Sequence, residues 1–168
     1  ILPKALVEKF SGTGILIIIF LLSIYGFLLA HKIDLVTADL GRHIKNGEIL
    51  LRDWNFDIIK TNFYSYTEAD FPVINHHWLS GIIFFILWKI SGFGGIHIFF
   101  IALNLATFLI FFHIAQEKIS KGPAAILALA AIPLLAERTE IRPEAFSYLF
   151  YGIFLWSFLK FCENKITF

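Results

Sequence analysis

The sequence predicts an all-α membrane protein with about four transmembrane helices and two juxtamembrane amphipathic helices in a large first outer loop. Three observations predict this fold. Of the 168 residues, 58 % are hydrophobic and 16 % are charged, whereas soluble domains carry about 25 % charged residues. Long uncharged runs recur along the chain. Between the first two runs lies a polar segment, residues 31–77, with seven carboxylates and four of the six His.

Four runs have the composition of membrane spans, and we place them at about 11–30, 94–116, 121–137 and 144–162. A helix needs about 20 apolar residues to cross about 30 Å of hydrocarbon. The first two runs meet that length. The last two are shorter, but Lys121 and Lys160 can extend them by reaching toward the headgroups.

The first outer loop, residues 31–93, is predicted to carry surface helices at about 38–51 and 76–90. In the first of these, Thr37 is a reasonable N-cap, and Asp39, Arg42, His43 and Asn46 share one helix face at spacings of three, four and seven residues. In the second, the apolar run from Trp78 to Trp88 is too short to span comfortably. Its terminal tryptophans suit a helix at headgroup level.

The distribution of Lys and Arg predicts the topology of the chain in the cell (inner) membrane. With residues 78–90 on the surface and the N-terminus cytoplasmic, six Lys lie inside and only Arg138 and Arg142 lie in the short outer connection. If residues 78–90 spanned, the ratio would be five to four. The positive-inside rule therefore favours four spans, with loops 31–93 and 137–144 outside.

Charge and motifs exclude several function classes. The net charge of +1 argues against a nucleic-acid partner, since such proteins carry a strong basic excess. The chain has no Gly-rich nucleotide loop, HExxH, CxxC or GxSxG motif. These absences disfavour nucleotide-driven transport, zinc proteolysis and serine hydrolysis. The lipid bilayer is the predicted partner.

Each candidate polar residue has a structural and a functional interpretation. Asp39 is either a helix-dipole residue or a catalytic base, and Arg42 is either a headgroup anchor or a ligand for substrate. His76 and His77 are adjacent and so do not share a helix face. They are either a polar helix cap or substrate ligands. No metal-ligand set stands out, and a divalent cation as cofactor is left open.

The second polar segment, residues 137–146 (ERTEIRPEAF), holds five charges in its first eight residues. It is either a solvated connection with mutual ion pairs or a phosphate-binding site. Arg138 and Arg142 would supply planar donor forks for a phosphate. Glu140 would orient a base or a metal.

The order of ADLGRHIKNGEIL, NFYSYTEADFPVINHHWLSG, QEKISKG and ERTEIRPEAFSYLF resembles the N-terminal part of the GT-C superfamily of integral membrane glycosyltransferases. The resemblance is to the bacterial branch related to the protein mannosyltransferase and aminoarabinose transferase families. It implies transfer of a sugar from a polyprenyl-phosphate donor to an acceptor on the outer face of the membrane, with the prenyl tail held in a groove between spans.

The resemblance also implies residue roles. Asp39 would be the general base, beside Arg42 and His43 as substrate ligands. Arg142, with Arg138 or Arg42 as alternatives, would hold the phosphate. His76 or His77 would hydrogen-bond the sugar or phosphate.

Two departures from the family pattern leave a second function open. Relatives often pair two acidic residues in the first loop, whereas here Asp39 is followed by Leu40. Family enzymes are also much longer, so residues 1–168 would form a single N-terminal transmembrane module. The alternative is a non-catalytic membrane subunit that acts as a scaffold for other membrane subunits in a larger complex.

Overall fold

The computed structural model describes residues 12–32, 34, 39–138 and 140–163. Within them the secondary structure is helical, with two isolated β-bridges and no strand. This confirms the predicted all-helical class. The helices are α1 (Gly12–Lys32), α2 (Leu40–Arg52), α3 (Asp57–Lys60), α4 (Trp78–Lys118), α5 (Lys121–Leu135) and α6 (Glu144–Cys162).

Three helices, α1, α4 and α6, are long and apolar enough to cross a membrane. Helix α5 is apolar but has only 15 residues, which corresponds to about 22 Å at about 1.5 Å per residue. It is therefore shorter than the hydrocarbon core, and its role as a fourth span stays a prediction. Helices α1, α5 and α6 coincide with the predicted apolar runs to within a few residues, whereas α4 begins 16 residues before the run predicted at 94–116.

Helix α4 is interrupted at Gly92, whose φ of 61° and ψ of −158° are non-helical. Such a backbone conformation is open to glycine because it has no Cβ. The interruption lies where the sequence predicts the boundary between a surface helix ending near 90 and a span beginning near 94. The membrane-surface position of residues 78–91 stays a prediction.

The chain divides into two compact units. The helical unit comprises the described residues of 12–32, 101–138 and 144–163. The polar unit comprises residue 34 and residues 39–100 and 140–143. Helix α4 contributes residues to both. The prediction that residues 1–168 form one module stays a prediction.

The core of the helical unit forms where α1 packs against α5 and the second half of α4. Leu21, Tyr25 and Leu29 are spaced four residues apart on α1, so they form one buried stripe. The Tyr25 ring lies 5.5 Å from Phe108, which stacks on Phe112 at 6.0 Å. This unit thus has an aromatic interior.

The polar unit has a smaller core of Ile49, Leu50 and Ile58. Beyond α3 the chain makes a hairpin-like excursion. It is closed by backbone bonds from Val73 to Lys60 and from Asn75 to Ile59, together with a bond between Asn62 and Phe71. This segment is therefore held by its own backbone pairing.

Candidate functional site

A close crossing of two helices positions the histidines of the polar unit. A Cβ added to Gly47 of α2 would lie 2.5 Å from the carbonyl carbon of Gly81 and 2.9 Å from the Cα of Ile82. The two backbones are therefore in contact at this point. His43 lies four residues before Gly47, and His77 lies four residues before Gly81. Their rings meet edge to face with centroids 5.6 Å apart.

The rings of His43, His77 and His76 form a row, the histidine row, which leads from this crossing to the exposed surface. His43 is buried, with 5 % of its surface exposed, and its ring also lies 6.3 Å from Phe84. His77 is half-buried and lies 3.9 Å from the exposed ring of His76. Sequence reasoning missed the contact between His43 and His77. The sequence feature that could have predicted this contact is a glycine four residues after each histidine.

The histidine row does not form a recognisable metal centre. Among residues 12–32, 34, 39–138 and 140–163, no group of three or more His, Cys, Asp and Glu could hold a metal ion. The row instead offers imidazole nitrogens, which donate or accept hydrogen bonds according to tautomer. It can bind hydroxyl or phosphate oxygens.

Asp39 immediately precedes α2, but its side chain makes no capping hydrogen bond. The carboxylate instead accepts a hydrogen bond from Nη2 of Arg42 at 2.9 Å. Both side chains are more than half exposed. Thr37, the predicted N-cap, lies outside the described residues. Asp39 therefore faces solvent and a cation.

The predicted shared face of α2 runs along the border between its buried and exposed sides. Arg42 is exposed, whereas His43 and Asn46 are each 5 % exposed. Asn46 accepts a hydrogen bond from the Tyr64 hydroxyl at 2.6 Å. Partial burial raises the pKa of Tyr64, so this hydroxyl stays a donor at neutral pH.

The outer side of α2 carries a small ion network. Glu48 accepts hydrogen bonds from Lys45 at 2.9 Å and from Arg52 at 2.6 Å. The bond from Lys45, followed by that from Arg52, lowers the pKa of Glu48, and the same contact raises the pKa of Lys45. The charges of Lys45 and Arg52 are thus engaged by Glu48.

The second polar segment joins the first at a β-bridge within the polar unit. Asp34 pairs in parallel with Glu140, and Arg142 Nε donates to Glu140 Oε2. Residues 141 and 143 are buried and alternate with Glu140 and Arg142, as extended backbone requires. Seven of the predicted site residues therefore belong to this unit: Asp39, Arg42, His43, His76, His77, Glu140 and Arg142.

Arg138 belongs to the helical unit, where it borders a cavity of about 480 Å³. Its Nη1 donates to the Tyr148 hydroxyl at 3.1 Å. The cavity walls are mainly aromatic and aliphatic, with a few polar groups. They include Tyr25, Phe108, Phe111 and Tyr151, together with Asn104 and Thr107. Sequence reasoning predicted the phosphate role of Arg138 and a groove for the prenyl tail, but not this particular cavity.

A second cavity of the helical unit, of about 370 Å³, is lined by Ile110, His113 and Trp156 among others. One oxygen of Glu117 contacts both His113 Nε2 at 3.3 Å and Lys160 Nζ at 2.6 Å. Lys160 thus neutralises Glu117 between α4 and α6. This cluster ties two helices together, and its cation is already engaged.

Comparison with known proteins found no matching family model, no similar curated protein and no similar solved structure. The resemblance to glycosyltransferases therefore rests on the residues of the chain.

Proposed function

We propose that this chain is a membrane glycosyltransferase, or its N-terminal part, and that it transfers a sugar from a polyprenyl-phosphate-linked donor. The observation that carries the proposal is the cavity of the helical unit with Arg138 at its lining. An apolar chain ending in a phosphate needs an apolar enclosure with one cation. Arginine suits the phosphate because its planar donors match two oxygens at once.

The cavity has suitable dimensions for part of such a lipid. Ligand pockets commonly measure about 300–1,000 Å³ and place a few polar groups among apolar walls. Here about 480 Å³ is available, and the Tyr148 hydroxyl holds Arg138 at the lining. The cavity would take a few isoprene units near the phosphate, and the rest of the chain would lie in the bilayer.

The residues proposed for acid–base chemistry belong to the polar unit. In this proposal Asp39 takes the proton of the acceptor hydroxyl or amine, a contribution of about 10²–10⁴-fold in rate. Arg42 orients the Asp39 carboxylate through their 2.9 Å hydrogen bond. The exposed His76, supported by His77 and the buried His43, hydrogen-bonds sugar or phosphate oxygens.

Arg142 of the polar unit is the alternative phosphate ligand to Arg138 of the helical unit. Arg142 is held by Glu140, and a phosphate would compete with that carboxylate for the guanidinium. Glu140 would then be released to orient a base or a metal. The proposed topology places the N-terminus in the cytoplasm and both polar segments outside, where the acceptor would be reached.

The test is sugar transfer by the full chain, reconstituted with a labelled polyprenyl-phosphate sugar. We expect Asp39→Asn and Arg142→Ala each to lower the rate by at least about 100-fold. Asp70→Asn and Arg52→Ala are matched controls, because both residues are exposed and have no proposed role. Unchanged turnover in both site variants would remove these assignments.

A non-catalytic scaffold subunit is the second candidate function. It is favoured by the pairing of the proposed site carboxylates, since Asp39 is held by Arg42 and Glu140 by Arg142 in exposed ion pairs. In such pairs the charges neutralise each other, so no substrate is needed to balance them. This candidate predicts no transfer by the wild-type chain and stable co-purification with other membrane subunits.

A further inference from the structure

Trp54 occupies a backbone position that its side chain disfavours. It follows Asp53, the C-cap of α2, and has a φ of 49°. The residue after a helix C-cap often adopts this left-handed conformation, and glycine or asparagine usually fills it. A bulky residue there is a rare outlier that costs stability. Trp54 therefore departs from the residue that folding alone would favour.

The Trp54 side chain is also exposed. It leaves 71 % of its surface exposed, and the neighbouring Phe56 leaves 51 %. Their ring centroids lie 6.5 Å apart, so the two rings form one aromatic tip. Both the backbone and the exposed surface of this tip oppose stability. Strained backbone combined with exposed aromatic surface is typical of a functional contact.

We propose that Trp54 and Phe56 form an interfacial anchor that inserts into the headgroup region of a lipid bilayer. The chain has three helices long and apolar enough to cross a membrane. Helix α1, one of them, ends at Lys32, two residues before the polar unit begins at Asp34. A bilayer is therefore available to this unit, and tryptophan is one of the two residues enriched at its interface.

The size of the tip favours a bilayer over a protein partner. Two aromatic side chains can bury about 300–500 Å² together, whereas a stable protein interface needs about 800 Å² from each partner. A segment already tethered near a bilayer needs much less, because its effective concentration there is high. The two rings are sufficient for an anchor of this kind.

The charges around the tip predict how the anchor depends on lipid. Arg52 and Lys60 are balanced by Asp53 and Asp57 between residues 52 and 60. Attraction to anionic headgroups would need an excess of Lys and Arg. Insertion is therefore driven by aromatic burial and is equal in zwitterionic and anionic vesicles.

The experiment measures where the Trp54 ring lies. The full chain is reconstituted in phosphatidylcholine vesicles, with or without bromine on the upper acyl carbons. Emission of the Trp54→Tyr variant is subtracted from that of the wild type to isolate Trp54 from the three other tryptophans. We expect bromine to quench this difference emission and aqueous iodide to leave it unchanged. Adding phosphatidylglycerol should not alter either result.

Three outcomes would overturn the proposal. Quenching by iodide but not by bromine would place Trp54 in water. Protection from both quenchers would indicate a protein partner or a second copy of the chain. Quenching by bromine only when phosphatidylglycerol is present would show an electrostatic contact instead of aromatic insertion.

A stability measurement separates anchoring from packing. Trp54→Gly and Trp54→Asn both suit the left-handed backbone, so we expect both to raise the melting temperature in detergent. A lower melting temperature in both would show that Trp54 packs within the polar unit, and it would overturn the proposal. Neither readout uses sugar transfer, so the proposal and the proposed function fail independently.

Discussion

The crossing of α2 with the helix that begins at Trp78 predicts a strong effect of one added methyl group. Replacing Gly47 with alanine puts a Cβ within 2.5 Å of the Gly81 carbonyl carbon and within 2.9 Å of the Ile82 Cα. Ordinary carbon contacts lie at about 3.5–4.0 Å. The atoms in the way are backbone, so no side chain can rotate aside. The two helices must separate by about 1 Å.

The change in the free energy of unfolding of Gly47→Ala is the sum of two opposing contributions. Overpacking costs about 1–3 kcal/mol. We expect about 3 kcal/mol here, because the obstructing atoms are backbone atoms that cannot rotate away. Alanine gains about 1 kcal/mol over glycine inside a helix. We therefore expect Gly47→Ala to lower the free energy of unfolding by about 2 kcal/mol.

Gly41→Ala is the matched control on the same helix. A Cβ there would have no neighbour within 4 Å. Because Gly41 lies in the first turn, we expect a gain of about 0.5 kcal/mol. The two variants should then differ by about 2.5 kcal/mol.

Unfolding in mixed micelles by titration with dodecyl sulfate, followed by circular dichroism, measures this difference. Histidine ring resonances give a second readout, because separation of the helices should shift those of His43 and His77 only in Gly47→Ala. If Gly47→Ala is as stable as Gly41→Ala and leaves both resonances in place, the helices do not cross at these glycines.

Two further predictions concern hydrogen bonds that join elements within one unit. Tyr64→Phe should lower the free energy of unfolding by about 1–2 kcal/mol, because it removes the 2.6 Å bond to the buried Asn46. Lys160→Ala should cost about 2 kcal/mol, because it leaves the half-buried Glu117 without its ammonium partner. Chemical unfolding checks both, and a double-mutant cycle with Glu117→Gln isolates the second pair.

Exposed counterparts provide the controls for these two changes. Tyr66 is fully exposed, so Tyr66→Phe should stay within about 0.5 kcal/mol of wild type. Lys118 pairs with Glu163 at 2.8 Å in a more exposed position, and Lys118→Ala should cost at most about 1 kcal/mol. Equal losses in a variant and its control would contradict the role given to burial.

The helix positions could be predicted from the sequence because composition determines them locally. The uncharged run after residue 11 became Gly12–Lys32, and the run closed by Lys160 became Glu144–Cys162. The predicted boundary near residues 90–94 lies at Gly92. Charged residues mark the ends of the apolar runs, and a glycine marks the interruption. Neither signal depends on contacts with another helix.

The tertiary contacts of the site could not be predicted in the same way. The meeting of His43 with His77 depends on two glycines on different helices, and neither glycine alone indicates its partner. The ion pair of Asp39 with Arg42 is local, because the two residues lie three apart on one helix face, and the role of Asp39 as a base stays a prediction. The histidine contact depends on which surfaces pack together, and a single helix pattern does not contain that information.

The proposed function requires the helical unit to bind a polyprenyl chain ending in phosphate, with Arg138 as the phosphate ligand. Measuring how tightly the full chain in nanodiscs binds polyprenyl phosphate and the uncharged polyprenol tests this requirement. We expect wild type to prefer the phosphate by about tenfold to a hundredfold, as a charge-assisted hydrogen bond provides, and Arg138→Gln to lose that preference. Equal binding of the two lipids by wild type, or an unchanged preference in Arg138→Gln, would contradict the claim.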